Sequence, residues 1–142
     1  MKDPIFQRLL NLHPKFSDLS LGRIKKLLKK INFDENLLPK VIHIAGTNGK
    51  GSTAAILKSI LNHHNYSTHV YSTPHLVKFN ERIRIKDEII SNKFLLEVLS
   101  ETDKINNNQE ITFFEFTTAA AFLAFSKIKA DILLLEVGLG GK

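Results

Sequence analysis

At 142 residues the chain is long enough for one domain, which would bury about two-thirds of the surface its unfolded form exposes, and two full domains are not expected. Its 43% hydrophobic and 24% charged residues give a globular balance, no apolar run is long enough to span a bilayer, and the absence of cysteine excludes disulfides, thiol nucleophiles and thiolate metal sites. A formal charge of +6 raises nucleic acid as a partner, but the densest basic cluster, Lys25-Lys26 with Lys29-Lys30, has helical spacing opposite Leu21, Ile24, Leu27, Leu28 and Ile31 and reads as a solvated face.

A basic surface of this kind attracts polyanionic small molecules, such as nucleotides and glutamate-bearing substrates, so neither nucleic acid nor a membrane is expected as a partner. The opening Met1-Lys2-Asp3-Pro4 lacks the charged region and apolar core of a secretory signal, and the expected location is cytoplasmic.

In chain order, Asp3 with Pro4 predicts an entry helix to about Leu12, and the lysine-faced helix follows from near Ser20 to Ile31. A polar connection through Asp34 and Pro39 leads into an apolar strand, Val41–Ala45. Next come Gly46-Thr47-Asn48-Gly49-Lys50-Gly51-Ser52-Thr53 and a helix that ends near His64-Asn65. A strand, a glycine-rich turn with one lysine and a hydroxyl-bearing helix start build a phosphate site. Backbone N–H groups converge on the anion, the helix N-terminus adds a favourable dipole, the lysine neutralises β/γ-phosphate charge, and a Ser/Thr hydroxyl can ligate Mg²⁺. The general pattern G-x-x-x-x-G-K-[ST] is not fully met: Ile44 stands at its first glycine and Gly51 follows Lys50. A nucleoside triphosphate is still the expected ligand, with an ordinary glycine-rich turn as the alternative.

Thr68–Ser72 is β-prone and completes a strand–helix–strand crossover. The segment Thr73–Arg82 contains Pro74 and mixes aromatic, basic and amide residues, which suits a functional loop better than a strand. Ile83-Arg84-Ile85, a Lys86-Asp87-Glu88 turn and Ile89-Ile90 predict a small hairpin, and Ser91 caps a helix to about Lys104. Asn106-Asn107-Asn108 reads as a linker, Thr112-Phe113-Phe114-Glu115 as a capping box opening a helix through Phe125, and Ile132–Val137 as a parallel strand buried on both faces. In open α/β sheets ligands sit outside the carboxyl ends of strands, so Glu136 and the phosphate turn should share a crevice.

These segments, in this order, resemble the N-terminal part of the bifunctional folylpolyglutamate synthase/dihydrofolate synthase family, within the Mur-ligase superfamily. The resemblance is carried by His43–Thr53, Ser72–Leu76 with Phe79–Ile85, Thr112–Phe116 and Leu135–Gly141, and runs from about Asp18 onward. It implies an α/β fold, an incomplete parallel sheet of the P-loop type with flanking helices. Residues 1–142 would be the N-terminal portion of the ATP-binding domain, without the rest of that domain or the C-terminal domain.

Members of this family activate a folate or pteroate carboxylate with ATP as an acyl phosphate, which the amine of L-glutamate then displaces to form an amide. The resemblance implies that Gly46, Thr47, Asn48, Gly49, Lys50, Gly51, Ser52 and Thr53 bind ATP. Lys50 and Glu136 would be the catalytic pair, and Ser52 and Glu136 the Mg²⁺ ligands. Ser72, Pro74, His75, Phe79, Asn80, Arg82, Phe113 and Phe114 would help hold the folate substrate. Bland alternatives remain for several of these: Glu136 as a cap of the glycine turn, Glu115 as a capping partner only, and His75 as a loop hydrogen-bonder. The family's further metal-ligating histidine and carbamylated lysine have no counterpart here, and an arginine that follows its glycine pair is replaced by Lys142. The expectation is therefore a truncated ligase homologue, inactive alone. Its alternatives are a non-catalytic nucleotide-binding module, one half of a split enzyme with a separate C-terminal half, and a non-functional remnant.

Overall fold

The computed structural model describes residues 20–138; the expected entry helix at Asp3–Leu12 and the last glycines, Gly140 and Gly141, lie outside them. The described elements are α1 (Gly22–Lys30), β1 (Lys40–Ile44), α2 (Lys50–His63), β2 (Thr68–Tyr71), β3 (Ile83–Ile85), β4 (Glu88–Ile89), α3 (Asn92–Asn106), α4 (Phe113–Lys127) and β5 (Ile132–Glu136). Their order matches the expectation, with ends shifted by a residue or two.

The sheet runs β1-β5-β2-β3-β4. β5 is parallel to both β1 and β2, as the crossover pattern requires, while the β3–β4 hairpin adds itself to β2 antiparallel. The sheet is thus mixed: a hairpin needs only a tight turn, and Lys86 and Asp87, with φ of 47° and 75°, supply a two-residue one rather than the three-residue turn expected. Asp87 anchors it, accepting from the Thr68 hydroxyl at 2.5 Å.

β5 occupies the centre of the parallel part, with a neighbour on each side. Its alternating side chains reach two cores. Leu133 faces the larger one, with Tyr71, Ile83, Leu95, Leu99, Phe116 and Phe125 under α1, α3 and α4. Leu134 faces a small cluster with Ile44, Ala54 and Val70 under α2. Among the described residues the open edge of the parallel set is β1, whose first four residues are exposed. On α1, Lys25, Lys26, Lys29 and Lys30 are exposed and Leu27 is buried, which gives the expected wet face, although Leu21 is exposed too.

Two helix starts follow from their sequence. Ser91 accepts the Phe94 N–H, and Thr112 accepts the Glu115 N–H while Glu115 accepts the Thr112 N–H at 2.8 Å, a complete capping box. Asn106 is not linker: it is buried as the last residue of α3, with its amide donating to the Gln109 carbonyl, and Asn107 and Asn108 turn the chain in left-handed conformations.

Candidate functional site

β1 delivers the glycine turn to the carboxyl end of the sheet. Ile44, its last residue, is aligned with Glu136, the last of β5, and the Ile44 carbonyl accepts the Val137 N–H at 3.0 Å. Glu136 and the turn therefore leave the sheet side by side, where ligands sit in such folds. The turn needs glycine for backbone reasons: Gly46 and Gly49 have φ of +154° and +76°, which side chains disfavour, although a Cβ at either would meet no tight contact.

Gly49 caps α2, so the helix opens at Lys50 rather than at Ser52, and Ser52 lies in its first turn. The Lys50 ammonium folds back to donate to the Gly46 carbonyl at 2.9 Å, and the Thr53 hydroxyl donates to the Gly49 carbonyl at 2.9 Å. Ser52 is exposed at the helix start.

Glu136 is buried, and one of its carboxylate oxygens accepts the Thr73 N–H at 3.2 Å. That bond ties the sheet's end to the loop Ser72–Arg82, which contains a cis Thr73–Pro74 bond. Gly138, just past β5, lies against the Phe114 ring so closely that a Cβ there would come within 2.9 Å of it, and 3.5 Å from the Thr73 hydroxyl. Phe114, Thr73, Gly138 and Glu136 are therefore one cluster.

The loop is built by its own residues. Glu81 accepts backbone N–H groups from Leu76, Val77 and Lys78 at 2.7–3.1 Å, which holds its carboxyl below the usual carboxylate range. Its tip, Leu76 and Val77, is exposed. Arg82 donates through Nε to Nδ1 of His75 at 2.8 Å and lies 5.3 Å over the Phe79 ring. Phe79 in turn meets His75 and Phe113 edge-on, at 5.9 and 5.8 Å. Since Nδ1 accepts, the proton of neutral His75 is on Nε2.

The expected residues thus divide. Ser72, Pro74, His75 and Arg82 lie in the loop and Phe113 and Phe114 at the α4 start, whereas Phe79 is buried in the larger core, its ring supporting His75, Arg82 and Phe113 from beneath. Asn80 faces inward: buried, it donates to the Ile90 carbonyl at 2.9 Å and to the Asn92 side chain at 3.0 Å, as a strut between loop and hairpin. Arg84, on β3, reaches the Asp87 carbonyl at 3.4 Å instead of the crevice. Among the phenylalanines, Phe116 and Phe125 are core, and Phe122 stacks on Phe33 at 5.6 Å. Thr73 and Gly138 join the site through the fold, and the glycine shortly after a strand-ending carboxylate is the one sequence signal for them.

Glu115 holds a second partner besides its cap, the Arg23 guanidinium at 3.0 Å. A cavity of about 730 Å³ lies beside this pair, between α1 and the α3–α4 turn. Its walls include Arg23, Lys26, Lys29, Asn106 and Gln109 and none of the residues of the crevice.

Among the described residues no group of three or more His, Asp or Glu side chains could hold a metal ion alone. Ser52 and Glu136 offer hard oxygen donors, suited to Mg²⁺, which retains several waters and takes phosphate oxygens to complete its octahedron. No helix among the described residues is long and apolar enough to cross a membrane.

No family model matches the chain. Individual proteins do. It is 40% identical over 130 residues to the dihydrofolate synthase/folylpolyglutamate synthase of Haemophilus influenzae, and 37% identical over 134 residues to that of Escherichia coli K12. These alignments cover 92% and 94% of the chain but 29% and 32% of the relatives. Among solved structures, the bifunctional folylpolyglutamate synthase/dihydrofolate synthase of Yersinia pestis superposes with a TM-score of 0.86 at 34% identity, covering 99% of this chain and 35% of that one. The E. coli enzyme in complex with DHPP and ADP gives 0.88 at 35% identity, covering 99% and 34%. Another such structure, with a TM-score of 0.85, has Mn, AMPPNP and L-glutamate bound.

Proposed function

The chain is homologous to the dihydrofolate synthase/folylpolyglutamate synthases over about a third of their length, and from that premise we propose that it carries the triphosphate-binding and part of the folate-binding surface of such a ligase. Residues 1–142 are then the N-terminal portion of the ATP-binding domain, in a cytoplasmic protein. The reaction served is ATP-driven joining of L-glutamate to dihydropteroate or tetrahydrofolate.

The observation that carries this proposal is the side-by-side exit of the glycine turn and Glu136 from paired parallel strands, with the loop 72–82 tied to Glu136 through Thr73. Gly46–Ser52 would surround the triphosphate with backbone N–H groups. Lys50 would exchange its internal Gly46 partner for phosphate oxygens, an exchange of a neutral acceptor for a charged one that favours the bound state. Ser52 and Glu136 would hold Mg²⁺, which supplies charge neutralisation at the phosphates when bound. His75, Arg82, Phe113 and Phe114 would present rings and a cation to the flat pterin and aminobenzoate groups, while the buried Phe79 and Asn80 keep the loop in place.

The test is calorimetric titration of Mg-ATP into the parent, Lys50→Ala and Glu136→Gln proteins. The parent should bind. Lys50→Ala should lose most of the affinity, and Glu136→Gln should lose the metal dependence with an unchanged circular dichroism spectrum. Equal affinities in parent and Lys50→Ala would refute the site. The isolated chain should give no labelled product with ATP, folate substrate and radiolabelled glutamate, because one preorganised charge-stabilising group removed typically costs about a hundredfold or more in rate and a third of the relatives' length supplies only some of them.

A further inference from the structure

The loop 72–82 is closed at both ends. At its base the Ser72 N–H donates to the Arg82 carbonyl at 2.9 Å. At its tip the successive backbone N–H groups of Leu76, Val77 and Lys78 converge on the carboxylate of Glu81, which accepts through both oxygens. Consecutive N–H groups in a turn form a concavity that takes an anion, and here the chain supplies the anion itself. Apolar packing does not hold the tip, since Leu76 is 92% and Val77 80% exposed.

This clamp lies between two residues of the crevice. His75 directly precedes the first donor and Arg82 directly follows the carboxylate, so drawing Leu76–Lys78 onto Glu81 brings His75 and Arg82 to one place. There both meet the buried Phe79 ring, at 5.9 and 5.3 Å, and Nε of Arg82 donates to Nδ1 of His75 at 2.8 Å. With Nδ1 engaged, the neutral imidazole keeps its proton on Nε2. Among the described residues neither that N–H nor the terminal nitrogens of Arg82 have a partner. The pair is thus a partly exposed set of donors, suited to oxygen or ring-nitrogen acceptors of a ligand.

We infer that Glu81 is a positioning residue for the folate substrate: its carboxylate fixes the Arg82–His75 donor pair in the arrangement that meets acceptor atoms of the substrate, without touching the substrate itself. The inference deepens the ligase reading above and rests on its folate side. Groups held in place before a ligand arrives bind it without the cost of ordering them, and a loop with an exposed tip has this carboxylate to do the holding.

The test is calorimetric titration of dihydropteroate, in the presence of Mg-ATP, into the parent, Glu81→Gln, Arg82→Ala and Glu81→Gln/Arg82→Ala proteins. Glutamine keeps the length of the side chain but offers one acceptor oxygen to three donors. Glu81→Gln should bind dihydropteroate about tenfold more weakly than the parent, with unchanged circular dichroism and Mg-ATP affinity. In the Arg82→Ala background the same substitution should change little, because it acts through a pair already broken. Imidazole nitrogen NMR shifts should show His75 as a single Nε2–H tautomer in the parent and as a mixture in Glu81→Gln, a change that a general loss of stability does not produce. Equal dihydropteroate affinity in parent and Glu81→Gln, an undiminished loss in the Arg82→Ala background, or a parallel loss of Mg-ATP affinity would each overturn the inference and leave the ligase reading in place. A parent that binds Mg-ATP but not dihydropteroate would remove the folate side of that reading and the inference with it.

Discussion

His69 sits fully enclosed on β2, its ring stacked at 5.2 Å on Phe125, with Nε2 2.8 Å from the Ile128 carbonyl and Nδ1 accepting the Lys86 N–H. One nitrogen must donate and the other accept, so the neutral ring protonated on Nε2 satisfies both neighbours. Burial holds its pKa below the ordinary 6.5, against the opposing pull of the Ile128 carbonyl. The unfolded chain therefore takes up a proton at a pH where the folded one does not. The stability His69 contributes is complete above its unfolded pKa and is lost as the pH falls from there through the folded value. Denaturant midpoints measured from about pH 7.5 to about pH 5.5 should fall, and His69→Gln, whose amide can still donate to Ile128, should lose that part of the slope. An unchanged slope in His69→Gln would exclude this origin. Nothing in the pattern of Thr68–Tyr71 marks the histidine as enclosed, because its burial comes from α4, some fifty residues on. The same holds for Asn80: its amide looks like a binding group in the sequence and becomes a strut only once Ile90 folds back beside it.

At the level of elements, local chemistry was readable and long-range placement was not. The capping box of α4, the Ser91 cap and the glycine turn each depend on residues within four positions, and all formed where their sequence signals lie. The position of β5 illustrates the opposite case. As the last strand, Ile132–Val137 is expected at an edge with unpaired backbone groups; the structure corrects this, since the connection through α3 and α4 returns β5 between β1 and β2, where both its edges are paired. The mixed character of the sheet was hidden similarly, since a hairpin's pattern does not say which strand it will join. The α4 cap also yields a comparison of magnitudes. Thr112→Ala removes one neutral acceptor and should cost about 1 kcal/mol. Glu115→Ala removes both the reciprocal half of the box and one ion pair to Arg23, and should cost about 2 kcal/mol, below the range for fully enclosed pairs because Arg23 is partly exposed. Urea denaturation of both variants measures the difference; a larger loss in Thr112→Ala would mean the ion pair contributes nothing.

For the whole molecule, the architecture separates a thick side from a thin one. The α1, α3 and α4 side holds most of the buried apolar side chains, while the α2 side holds a cluster of four. The phosphate turn belongs to the thin side, and it is anchored through a strand that is paired on one side only among the described residues. Local opening in proteins concentrates in segments with few buried contacts and exposed backbone hydrogen bonds, so β1, exposed along its first four residues, should open more readily than the central strands β5 and β2.

The Lys50–Gly46 bond and the Val137–Ile44 bond join that opening to ligand capture, because the turn is held in place only as well as the strand that carries it. Nucleotide entry should therefore slow amide exchange at Val41–Ile44 as well as in the turn, since strand and turn are hydrogen-bonded into one segment. The chain's affinity for its nucleotide is then set by how firmly β1 holds to β5 as much as by the eight turn residues.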